Sequence, residues 1–159
     1  MIHLQRQNNI GLPIKGFHLR RTVYDALTGK VIKEDCDETD NLITTNGYNL
    51  LAAVLIGESV IGFDAVGSGS TAAELDDPDL ETPILPRRPV KYLSRAGNIC
   101  NISTYYSPAD NNGWWRESAL CTALTGADTI INRAIYTNPF YKDNTKSVSN
   151  DWAITTVSG

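Results

Sequence analysis

The sequence predicts a mainly β fold: an antiparallel β-sandwich with one short buried helix and an extended N-terminal arm. Three observations carry this. Short runs rich in Val, Ile, Thr, Tyr and Trp recur from residue 90 to residue 156, divided by turn clusters such as Pro108–Gly113 and Lys142–Thr145. Only one segment, residues 46–56, has the length and apolar content of a helix. The composition, 42 % apolar and 20 % charged over 159 residues, is that of one globular core.

The elements follow in order. Residues 1–16 are polar and aperiodic and read as an arm, leaving 17–159 as a single sandwich domain. Phe17, Leu19 and Val23 alternate as a half-buried strand does. Asp25-Ala-Leu-Thr-Gly29 has turn chemistry, so Lys30–Glu34 is expected to return as the second strand of a hairpin. The helix has Thr45 or Asn46 as its cap and Gly57 as its left-handed stop. Its apolar residues, Leu50 to Ile56, cover nearly the whole circumference, the pattern of a helix sunk into a core. Ile61–Val66 reads as a strand, and four prolines between Gly67 and Pro89 read as a long loop. Strands are then expected over 90–94, 98–106, 114–122, 129–137 and 147–156, with Val148, Trp152 and Ile154 on one face of the last. No internal repeat or heptad is present.

The longest apolar run, Leu50 to Ile56, has seven residues, far short of the ~18 that cross a bilayer. The first nine residues lack the apolar stretch of a secretory signal, so a soluble protein is expected. Cys36, Cys100 and Cys121 are odd in number and without CxxC spacing, which suits reduced thiols and a reducing compartment.

The net charge of −4 is unevenly spread: residues 1–33 carry six bases against Asp25, residues 34–82 carry twelve acids and no base, and residues 83–159 carry eight bases and five acids. A pI near 5.1 argues against general nucleic-acid binding. The opposed segments either neutralise one another within one fold or register neighbouring copies. In the second case the contacts fall to Arg6, Lys15, Arg20 and Arg21 against Asp76, Asp77 and Asp79, with Arg87 and Arg88.

No site chemistry emerges. Gly67-Ser-Gly-Ser-Thr71 lacks the Lys that closes a phosphate loop, and no base lies nearby in 34–82. Asp35–Asp40 fails the calcium-loop pattern, with Asp40 where Gly is needed and Asn46 where Glu is needed. His3 and His18 lie in or beside the arm, so neither zinc ligation nor a Ser–His–Asp set is supported. We therefore expect no metal, no cofactor and no enzymatic activity. Tyr105, Tyr106, Trp114 and Trp115 suggest either core packing in adjacent strands or an aromatic patch for a glycan or receptor.

The order of motifs adds a further expectation. Asn41-Leu-Ile-Thr-Thr-Asn-Gly47 leads into the apolar helix, followed by Ile61-Gly-Phe-Asp-Ala-Val-Gly-Ser-Gly-Ser-Thr-Ala72, an Asp-Pro-x-Leu loop and Arg87-Arg88-Pro-Val90. Arg116-Glu-Ser-Ala-Leu120, Ile131-Asn-Arg-Ala-Ile135, Lys142 and Val148–Ile154 complete it. Over residues 17–156 this succession resembles small virion proteins of tailed bacteriophages, of the tail-fibre, tail-collar and minor structural type. The resemblance departs at Ser118-Ala119, where Ile/Val-Gly is usual, and at the serines of Gly67–Ser70. It implies a non-enzymatic building block of the virion tail, neck or collar, or baseplate, assembled in the bacterial host cytoplasm. Its partners would be copies of itself and other virion proteins, with no nucleic acid or membrane bound directly. A receptor- or glycan-binding tail tip is the alternative, and a head-decorating role a third.

Overall fold

A computed structural model describes residues 14–156. Nine antiparallel strands and one helix are placed there: β1 (Ile14–Asp25), β2 (Asp37–Ile43), α1 (Thr45–Leu55), β3 (Phe63–Gly67), β4 (Pro83–Pro89), β5 (Tyr92–Ala96), β6 (Ile99–Tyr106), β7 (Gly113–Cys121), β8 (Asn132–Lys142) and β9 (Lys146–Thr156). The mainly β class with one helix holds. The strands form one hydrogen-bonded sheet in the order β4-β3-β7-β8-β2-β1-β9-β6-β5 rather than two separate ones. The sheet curls so that β3 and β7 face β6 and β9 across a shared core. Tyr106 and Trp115 meet there edge to face at 4.8 Å, and Phe140 packs on the other side of Trp115 at 5.6 Å. Val148, Trp152 and Ile154 point inward together, as their spacing requires.

Several boundaries differ from expectation. Residues 14–16, expected in the arm, belong to β1, whose Ile14 pairs with Thr156; the rest of the expected arm, residues 1–13, lies outside the described residues. Lys30–Glu34 is not a strand. Val31 makes a single bridge to Tyr24, and the chain then tightens into a 3-10 turn at Lys33–Asp35. The strand that pairs with β1 is instead the acidic β2. It forms because its acids stand opposite bases: Arg20 against Glu38 at 2.8 Å and His18 against Asp40 at 3.1 Å.

The second half of the expected loop is a strand as well. Three of the seven residues of β4 are prolines, and the strand survives because it lies at the sheet edge and pairs only with β3. The opposite edge, β5, has no proline and every residue exposed.

The helix starts one residue early. Thr44 is its cap, its hydroxyl accepting from the Gly47 amide at 2.8 Å, and Gly57 follows its end at φ 78°. It is not sunk into the core: only Gly47 and Leu51 are buried, and Tyr48, Leu55 and Ile56 face outward. The facing strands of the curled sheet already fill the core, leaving the helix one side to lean on. Gly47 is where it touches, since a Cβ there would fall on the Ile131 carbonyl oxygen. Alanine is the better helix former by up to ~1 kcal/mol, yet overpacking against backbone costs more. We expect Gly47→Ala to lower stability by about 2 kcal/mol net, read as a fall in the denaturation midpoint.

Candidate functional site

The motif residues converge on the segment between β3 and β4. Glu117 on β7 is fully buried and accepts from three backbone amides of this segment: Gly69 at 3.0 Å, Glu81 at 3.1 Å and Thr82 at 2.9 Å. Gly67 and Gly69 are glycines because a Cβ on either would run into Glu117 Oε1. Arg133 on β8, also buried, donates through Nε to Glu117 at 2.8 Å. Its other nitrogens reach Asp77 at 3.0 Å, the carbonyls of Thr71 at 3.0 Å and Ala72 at 3.2 Å, and Glu81 at 3.4 Å. The Thr71 hydroxyl and amide hold the Glu81 carboxyl below its ordinary range.

A second arginine holds the end of the same segment. Arg87, buried on β4, donates to Asp79 at 3.1 Å, to the carbonyls of Ala123 and Gly126 at 2.9 and 3.0 Å, and to the Thr129 hydroxyl at 2.5 Å. Residues 67–82 are thus a surface segment held by two buried guanidinium groups and one buried carboxylate. Thr71, Ala72, Glu74, Leu75 and Asp76 remain exposed on it.

The candidate contact residues divide accordingly. Asp77, Asp79 and Arg87 belong to these internal clamps. Arg21 is internal too: its guanidinium lies between the rings of Tyr136 and Phe140 and donates to the carbonyls of Asp35 and Asn138, and burial lowers its pKa. Arg88 pairs with Asp110 at 2.6 Å and Arg20 with Glu38. Asp76 is exposed and makes no ion pair among the described residues. Arg6 lies outside the described residues, and Lys15 is in β1. Part of the acidic segment therefore meets counter-charges within the chain: Glu38 through Arg20, Asp79 through Arg87, Asp77 and Glu81 through Arg133, and Asp35 through Lys146.

The four aromatics do not form one patch. They alternate along two strands, so Tyr106 and Trp115 point into the core while Tyr105 and Trp114 point out. The outward pair sit on β6 and β7, far apart in the strand order, with Trp114 packed on Tyr141 and Arg116 and Tyr105 beside Lys91.

Two further buried polar centres lie in the core, at Asp64 and Lys142. Asp64 on β3 is fully buried, accepting from Tyr106 Oη at 2.6 Å, Trp152 Nε1 at 2.7 Å, Asn150 Nδ2 at 3.2 Å and Ser118 Oγ at 3.5 Å. Burial pushes its pKa up to about 6, against the pull of those four donors. Lys142, also buried, donates to the carbonyls of Ser107 and Pro108 and to Asn112 Oδ1, and burial brings it down to about 8. Alternation within each strand places Asp64 and Lys142 inward, but nothing local marks them as polar core. Both tie strands and loops together. Among the described residues no group of three or more His, Cys, Asp or Glu is arranged to hold a metal ion. Comparison with protein families, curated proteins and solved structures finds no match for the chain.

Proposed function

We propose that this chain is a non-enzymatic structural protein of a tailed-bacteriophage virion. It is built into the tail, collar or neck, or baseplate as a member of a symmetric oligomer, where it connects or decorates neighbouring virion proteins. The observation that carries the reading is the clamp. Glu117, Arg133 and the Gly67–Gly69 turn, all within the motifs that resemble small virion proteins, act together to hold one surface segment in a single shape. Burying charged groups to fix an exposed segment suits a preformed contact surface, because a segment already ordered loses little entropy on docking. The receptor-binding alternative has less support at the four aromatics, since Tyr106 and Trp115 are buried while Tyr105 and Trp114 are exposed on separate strands.

The exposed crest of the segment, Leu75 and Asp76, is the place to test it. Leu75→Asp with Asp76→Arg is expected to leave the circular dichroism spectrum and midpoint within ~0.5 kcal/mol of wild type, as surface changes do. Incorporation into particles assembled with the variant in place of the wild-type chain should fall at least tenfold. Normal incorporation would remove the segment from the interface.

A further inference from the structure

The outer face of α1 is an unpartnered apolar stripe. Tyr48, Ala52, Leu55 and Ile56 follow one another at helical spacing, and Val60 is exposed in the segment just after the helix. Exposure is 56 % at Tyr48, 68 % at Leu55, 70 % at Ile56 and 68 % at Val60. The helix carries no charged residue. A helix apolar all round is stable when covered on both sides, and the sheet covers only one.

We propose that residues 1–13 of the same chain lie along this face of α1. The point where they enter fixes the reach. β1 begins at Ile14, and Phe17 N donates to Asn41 Oδ1 at 3.3 Å, so the start of β1 and the start of α1 lie at the same end of the sheet. Thirteen extended residues span about 43 Å, and an eleven-residue helix is about 16 Å long. The segment supplies apolar side chains at Ile2, Leu4, Ile10 and Leu12, with Arg6 between them.

Charge favours this occupant over the same face of a second copy. The stripe is bordered by acids: Glu58 follows the helix, and Glu74 and Asp76 flank Leu75, whose carbonyl accepts from Thr45 N at 2.7 Å. These three are exposed and make no ion pair among the described residues. Two copies face to face would oppose like charges, whereas Arg6 complements them. Tethering adds to this, since a segment joined to its target acts at an effective concentration on the order of mM. The inference goes beyond the proposed function and does not depend on it.

The test uses the full chain with Leu55→p-benzoyl-phenylalanine and, separately, Val60→p-benzoyl-phenylalanine, irradiated at micromolar concentration and read by peptide mass spectrometry. Adducts to residues 1–13 are expected in the monomer band. Adducts to 1–13 confined to a dimer band would place the segment on a neighbour, and adducts between two helices would make the cover a second copy; either overturns the proposal, as does the absence of adducts to 1–13. In the same photo-reactive chains, Ile10→Asp with Leu12→Asp should cut the adduct yield at least tenfold, the loss expected when two burials are removed. Glu58→Gln, Glu74→Gln and Asp76→Asn together should cut it about threefold. Yields unchanged by both sets also overturn it.

Discussion

Arg133→Met is expected to lower the stability of the chain by about 3–5 kcal/mol, the usual consequence of removing one partner of a buried ion pair. Methionine fills much of the volume, so the loss is electrostatic. Glu117 keeps its three amide donors, at 2.9 to 3.1 Å, but no longer faces a cation. Asp77 and the carbonyls of Thr71 and Ala72 lose their common donor at the same time. The damage has a local sign as well. Protease cleavage and amide exchange should rise in residues 70–78 before they rise in the strands. Adding Glu117→Gln to Arg133→Met should recover part of the loss, because the stranded charge goes with it. A single variant within ~1 kcal/mol of wild type by denaturant titration would mean that the arginine does not hold the segment.

Asp64→Ala should cost about as much, ~3–5 kcal/mol, for a different reason. It strands Trp152 Nε1–H and the Tyr106 hydroxyl without an acceptor in a closed core and opens a cavity beside them. Asp64→Asn isolates the charge. Its amide oxygen can still accept from Trp152, and the Tyr106 and Ser118 hydroxyls can turn to accept from its NH2; the Asn150 amide loses this acceptor and keeps Ser118 Oγ, so the loss should be near 1–2 kcal/mol. It should also change the pH profile. The carboxyl has its pKa raised from 3.8 to about 6 in the folded chain, so between those values the native state holds the proton that the unfolded chain has released. Stability from this group is therefore fully present below pH 3.8 and is lost as pH rises to about 6, on the order of 3 kcal/mol in all. Stability of Asp64→Asn relative to wild type should rise over that window and level off above it. A difference independent of pH would show that Asp64 titrates normally.

Much of the fold was legible in the sequence because alternation and turn chemistry are local. The five strands after residue 90 and the inward set Val148, Trp152 and Ile154 need only the two-residue period. What failed depended on partners distant in the chain. β2 looks like a charged loop until Arg20 and His18 stand opposite Glu38 and Asp40. β4 looks like a proline loop until it proves to be an edge strand. α1 reads as a core helix because its pattern reports how much apolar surface must be covered and not what covers it. At the candidate site, the charge of Asp77, Asp79 and Arg87 is legible in the sequence, but which of them face the solvent is decided by Glu117 and Arg133, 36 or more residues on from Glu81. Asp64 and Ser118 came from neighbouring strands with no signal beyond an acid in an apolar run.

The two borders of the sheet have opposite chemistry, and this limits how copies can be strung together. A filament built by adding sheets border to border needs each copy to offer one receptive border and one that fits it. Here β4 contains three residues without an N–H, while β5 is proline-free and pairs on one side only among the described residues. A continuation of the sheet between copies is therefore favoured at β5 over β4, and a β5-to-β5 join would leave the proline-bearing strands at its two ends. Growth beyond such a pair by the strand ladder alone is then disfavoured.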